Sequence, residues 1–170
     1  MRTDDGRINV LKQKKSTMEN KQAIDALNAL VEINNDRIEG YETATKETNE
    51  PDLKVLFTKL ADTSRDCRIE LEREVEQLGG TPAKGTKVTG KLFPAWMDVK
   101  SAITGKDRKA ILESCEFGED HALKAYDDVL EDDREHLNVE QTSLIESQYD
   151  LLKADHDAVR ALRDSLVESH

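Results

Sequence analysis

The sequence predicts an all-α protein built as a four-helix bundle, and three observations carry that prediction. Apolar residues recur at alternating steps of three and four in four long stretches. With 3 Pro, 8 Gly and only 4% aromatic residues, the chain is short of the turn formers and strand formers that an all-β domain needs. Hydrophobic and charged residues each make up 36%, lean for a thick core but enough for one confined to a stripe on each helix. A length of 170 residues suits one domain.

Residues 1–17 mix charges without a periodic apolar face and read as a flexible arm, with the bundle occupying 18–170. The first helix carries the seam Ile24, Leu27, Val31, Asn34, Ile38, Tyr41 and Thr45. Pro51 opens the second, whose seam is Leu53, Phe57, Leu60, Ser64, Cys67, Leu71 and Val75, and Gly79-Gly80 closes it. A connection rich in Gly, Thr and Lys follows, and Pro94 begins a short helix with Trp96, Val99 and Ile103 on one face. Asp107 caps the third helix, with the seam Leu112, Cys115, Glu119, Ala122, Tyr126 and Val129. The acidic run Glu131–Glu135 ends it. Asn138 and Gln141 form a capping-box pattern before the fourth helix, whose inner face carries Ile145, Tyr149, Leu152, His156, Val159, Leu162 and Leu166.

Loop lengths set the expected topology. Only a few residues join the first helix to the second and the third to the fourth, as antiparallel hairpins require. Residues 79–106 are enough to traverse a helix, so the second and third helices are expected to run parallel. Two hairpins joined by one long crossover is the ferritin-like arrangement.

Ferritin-like bundles that hold two metal ions use Glu-x-x-His on two helices. That spacing is absent here: Gly118, Asp133, Lys153 and Val167 stand three residues before His121, His136, His156 and His170. A polar layer is nevertheless expected at mid-bundle, from Asn34, Ser64, Cys67, Glu119 and His156. A buried carboxylate needs a partner, and His156 is the expected one for Glu119. Read structurally, the layer sets helix register; read functionally, Glu119 and His156 are metal candidates for iron, manganese or zinc, with Tyr41 and Tyr149 nearby. Glu32, Glu39, Glu42, Glu70, Glu74 and Glu116 read as a solvated face unless a helix is rotated. Cys67 and Cys115, at seam positions and without Cys-x-x-Cys spacing, read as small buried hydrophobes. No phosphate loop, nucleophile elbow or zinc motif is present, and no catalytic residue is assigned.

A net charge of −11 repels nucleic acid phosphates. The absence of a long apolar run predicts no membrane span and no signal peptide, hence a cytoplasmic protein. The expected partner is a second copy or another protein. The segments MENKQAIDALNALVEINNDRIEGYETA, LGGTP, AWMDVKSAITG, EFGEDHALKAYDDVL and ADHDAVRALR together resemble a bacterial ferritin-like four-helix-bundle family of unknown function. The resemblance spans residues 18–167, with Ala95-Trp96-Met97-Asp98 and Gly118-Glu119-Asp120 followed by Tyr126 as its most specific motifs. It implies the ferritin-like fold, a small soluble bacterial protein and stress-associated or metal-related roles, and it brings no established catalytic residue. Residues 1–17 depart from the family's usual start. The expectation is an interaction or stress-associated bundle without catalysis; the alternative is a metal-binding or oxidase-type bundle with a degenerate site.

Overall fold

The computed structural model describes residues 4–85 and 107–168, with side chains over 6–14, 17–85 and 107–166. These residues form four α-helices: α1 (Asp4–Glu47), α2 (Pro51–Gln77), α3 (Arg108–Asp132) and α4 (Val139–Glu168). One 3₁₀ turn, Arg134–His136, lies between α3 and α4. The crossover helix expected around Trp96 falls in residues 86–106 and lies outside the described residues.

The helix ends follow from local chemistry. Pro51 sits in the first turn of α2, where its missing N–H costs no hydrogen bond. At the other end Gly79 adopts φ +81°, its N–H donates to the Glu76 carbonyl and that of Gly80 to Val75. This is the paired closure that a left-handed glycine permits. Gly80 also has to be small, since a Cβ there would lie 2.9 Å from the Ile24 side chain. Asp107 caps α3 by accepting from the Lys109 and Ala110 amides. Before α4, the Asn138 amide donates to Gln141 Oε1 and the Gln141 amide to Asn138 Oδ1, completing the expected box.

The start of α1 differs from the sequence expectation. Residues 4–17, expected as an arm, continue the helix without a break, and residues 6–14 are exposed throughout. Poor apolar periodicity argues against burial, not against helix. The segment has no proline, and Asp4 and Asp5 favour a helix N-terminus electrostatically.

Side-chain bonds fix the helix directions. Arg65 of α2 reaches Glu42 of α1 while Arg68 reaches Asn35, so α1 and α2 are antiparallel. Tyr41 meets Glu119 while Asn34 meets Tyr126, so α1 and α3 are antiparallel as well. It follows that α2 and α3 run parallel. Arg108, at the start of α3, accordingly pairs with Glu50 and Asp52 at the start of α2. The connection leaves α2 in the required direction. Asn28 holds Thr81 and Ala83, and Asn35 donates to the Gly85 carbonyl, so residues 81–85 follow α1 toward the end where α3 begins.

The apolar core is divided in two. One cluster gathers residues such as Leu27, Leu30, Leu71, Val75, Tyr126, Ile145 and Leu152 toward the Gly79 end. The other gathers Tyr41, Leu53, Phe57, Leu60, Leu112, Cys115 and Val159 toward the Pro51 end. Every seam residue expected on α2 and α3 over Leu53–Val75 and Leu112–Val129 is buried. What separates the two clusters is polar.

Candidate functional site: a buried charged layer at mid-bundle

Between the apolar clusters, all four helices turn polar side chains inward. Asn34 and Arg37 come from α1, Ser64 from α2, Glu119 from α3, and Gln148 and Asp155 from α4. All are buried, Arg37 at 1% exposure and Glu119 at 0%. Desolvating such groups is costly unless each finds a partner.

Arg37 is the hub. One guanidinium nitrogen donates to the Ser64 hydroxyl; the other donates to Glu119 Oε1 at 2.7 Å and to Asp155 Oδ2 at 3.4 Å. The guanidinium carbon stands 5.6 Å from the centre of the Tyr41 ring. Tyr41 in turn donates its phenolic proton to Glu119 Oε1. Burial works against the Arg37 charge, but the carboxylates of Glu119 foremost and Asp155 outweigh it and hold the guanidinium above its ordinary value. Burial first, and then Glu119, push the Tyr41 phenol well up, so Tyr41 stays neutral and acts as a donor.

Next to the ion pair runs a neutral relay. Asn34 Nδ2 donates to the Tyr126 hydroxyl at 2.8 Å, Tyr126 donates to Gln148 Oε1 at 2.8 Å, and Gln148 Nε2 donates to the Cys67 carbonyl at 3.1 Å. The relay visits α1, α3, α4 and α2 in turn. Sliding one helix by a turn would break it, so the layer selects register as well as partners.

The layer lies where the seam spacing places it, but its pairing differs from the sequence expectation. His156 is not the partner of Glu119. Its Nε2 lies 2.8 Å from Asp120 and 4.0 Å from Glu116, and its Nδ1 is 3.1 Å from Asp157. Asp155, one residue earlier, takes the inward position on α4, which turns the imidazole to the flank facing the edge of α3. Glu116 there is engaged by Arg163. Tyr149 is half-buried against the cluster at the Gly79 end, away from Glu119. Of the remaining acidic candidates, Glu39, Glu42 and Glu70 are exposed, while Glu32, Glu74 and Glu116 are half-buried. Among the described residues, no group of three or more His, Cys, Asp or Glu side chains is placed to hold a metal ion.

Arg37, Asp155 and Gln148 are the layer members that the seams missed. Arg37 lies three residues after Asn34 and four before Tyr41, on the same face as both. A seam drawn with one residue per turn is narrower than the face a bundle helix buries.

Both cysteines border this layer, Cys67 through its carbonyl and Cys115 within the adjoining apolar cluster. Burial pushes the Cys67 thiol up to about 12 and, with Glu119 beside it, raises Cys115 as well. Both are free and buried, so neither presents a thiolate to solvent. Titrating the native protein with an aromatic disulfide reagent should give no reaction on the timescale of mixing, and both thiols should react once urea unfolds the chain. A fast native reaction would show that the layer opens.

The fold and the layer define an all-helical arrangement in which the four described helices are tied together around a buried arginine and a glutamate. The chain belongs to the family described as Domain of unknown function (DUF2383), which it matches over residues 22–132. That span takes in Asn34, Arg37, Tyr41, Ser64, Cys67, Cys115, Glu119 and Tyr126, and stops short of α4. No curated protein matches the chain. No helix among the described residues is long and apolar enough to cross a membrane.

Proposed function

We propose that the chain is a ferritin-like bundle that works without catalysis, as a bacterial, cytoplasmic interaction protein of a stress-associated kind. The parallel course of α2 and α3 supports the ferritin-like arrangement. One observation carries the functional part: Arg37 supplies, from the protein itself, the positive charge that inward carboxylates in such a bundle would otherwise take from a metal ion. A guanidinium 2.7 Å from Glu119 and 3.4 Å from Asp155 suits the donor set poorly to a cation, since a metal there would have to displace it. The bacterial origin, the stress-associated role and the location are part of the same reading and rest on the resemblance of the helix motifs.

The alternative is a metal-binding or oxidase-type bundle using Glu119 and His156, and one observation favours it. Glu119 Oε2 is buried and has no hydrogen-bond partner among the described residues. Elemental analysis of protein purified without chelator tests the two readings against each other. Clearly sub-stoichiometric iron, manganese and zinc is expected. Stoichiometric metal in the parent that disappears in Glu119→Gln would replace the non-catalytic reading with the alternative.

A further inference from the structure

Helix α1 is far longer than the bundle it belongs to. Its 44 residues span about 66 Å and the 27 of α2 about 40 Å. The end of α2 meets α1 at Ile24 and Asn28, through Gly80 and Thr81. The turns before residue 20 therefore project beyond the core, about 1.5 Å per residue. Residues 6–14 are exposed on every side, with Ile8 and Val10 at 50% and Leu11 at 66%, and Met18 further along is 66% exposed. A helix of that length with Gly6, Asn9 and Val10 in it gains little from intrinsic propensity, and a helix without a packed face is marginal in water. In a protein of net charge −11, the projecting turns carry four basic residues, Arg7, Lys12, Lys14 and Lys15, against three acidic ones, Asp4, Asp5 and Glu19, and the basic ones are gathered away from the two aspartates at the tip.

A complementary surface lies at the same end of the bundle. The last turns of α2 and the first turns of α4 line an open groove of about 400 Å³, with Glu70, Glu74 and Glu140 around a single apolar residue, Leu144. Arg73 is the one basic residue lining it. The extension continues α1 past the point where α2 ends, away from the α2 and α4 residues that line the groove of the same chain. The extension of a second copy is not so constrained.

We propose that the projecting turns of α1 dock in the α2–α4 groove of a second copy of this chain, reciprocally about a two-fold axis. Arg7, Lys12 and Lys14 face Glu70, Glu74 and Glu140 of the other copy, and Ile8 and Leu11 cover Leu144. The interface is a helix laid in a groove, used twice. An acidic bundle is repelled by anionic surfaces, whereas the acidic groove of another copy satisfies both the charge and the apolar residues of the extension. The proposal is independent of whether the mid-bundle layer binds metal.

Sedimentation velocity of the full chain over a concentration series at low ionic strength tests it. The parent should form a dimer that weakens as salt is added. Reversing the extension (Arg7→Glu, Lys12→Glu, Lys14→Glu) or the groove (Glu70→Lys, Glu74→Lys, Glu140→Lys) should weaken the dimer roughly 100-fold or more, since each variant then sets like charges against each other. Mixing the two reversed variants should restore a dimer, because each now complements the other. That recovery is not explained by misfolding. A parent that is monomeric throughout, reversed variants that dimerise as the parent does, or a mixture that stays monomeric would overturn the proposal. So would a monomeric parent that co-sediments with phosphatidylglycerol vesicles, which would assign the extension to a lipid surface.

Discussion

Replacing Glu119 by Leu lowers the stability of the bundle by about 3–5 kcal/mol, the range expected when one partner of a buried ion pair is removed and the other stays charged. Arg37 has no route to neutrality, because a guanidinium does not give up its proton in a protein. It would be left at 1% exposure with Ser64 and the more distant Asp155, 3.4 Å away at the edge of the layer. Tyr41 would lose the acceptor of its hydroxyl in the same step. Arg37→Met should also be destabilising but less so, because a carboxyl group can take up a proton and still accept from Tyr41. The double variant Arg37→Met/Glu119→Leu removes both desolvated charges and should recover most of the loss. Urea melts of the four proteins check this as a cycle. Additive losses, with no recovery in the double variant, would mean that the two side chains are not coupled.

Tyr126→Ala is expected to cost about 3–5 kcal/mol, in the range for deleting a buried aromatic ring. Tyr126 is 0% exposed and packs among Leu30, Leu71 and Ile145, so the cavity would open inside the cluster at the Gly79 end. The loss would also strand Gln148 Oε1 and leave the Asn34 amide with the Leu30 carbonyl as its remaining acceptor. Tyr126→Phe keeps the ring and removes only the hydroxyl, and should cost about 1–3 kcal/mol. Comparing the two by calorimetry separates packing from the relay. A silent Tyr126→Phe would show that the relay carries no net stability.

The sequence makes the helices legible because burial leaves a periodic trace. Leu53, Phe57, Leu60, Cys67 and Leu71 recur as one face of a helix whatever packs against them. The caps at Asp107 and Asn138 are equally local, since each is satisfied within its own turn. The position of the polar layer was readable for the same reason: Asn34, Ser64 and Glu119 interrupt otherwise apolar seams. The identity of the partners was not. Arg37 lies beside the seam rather than on it, and the approach of α3 makes it the counter-ion of Glu119. His156 and Asp155 are neighbours on α4, and periodicity cannot tell which of two adjacent residues points inward when the face is wider than one residue per turn. Residues 4–17 illustrate the opposite limit. Residues 6–14 are exposed on every turn and leave no periodic trace, although the segment is helical.

We propose that Arg37, rather than a metal ion, neutralises the carboxylates at mid-bundle. Isothermal titration of the full chain with manganese(II), zinc(II) and, under anaerobic conditions, iron(II) tests this most directly, with Glu119→Gln and His156→Ala titrated alongside. Any binding in the parent should be weak and unchanged in both variants, as expected of scattered surface carboxylates. Tight, stoichiometric binding by the parent that is lost in Glu119→Gln would contradict it.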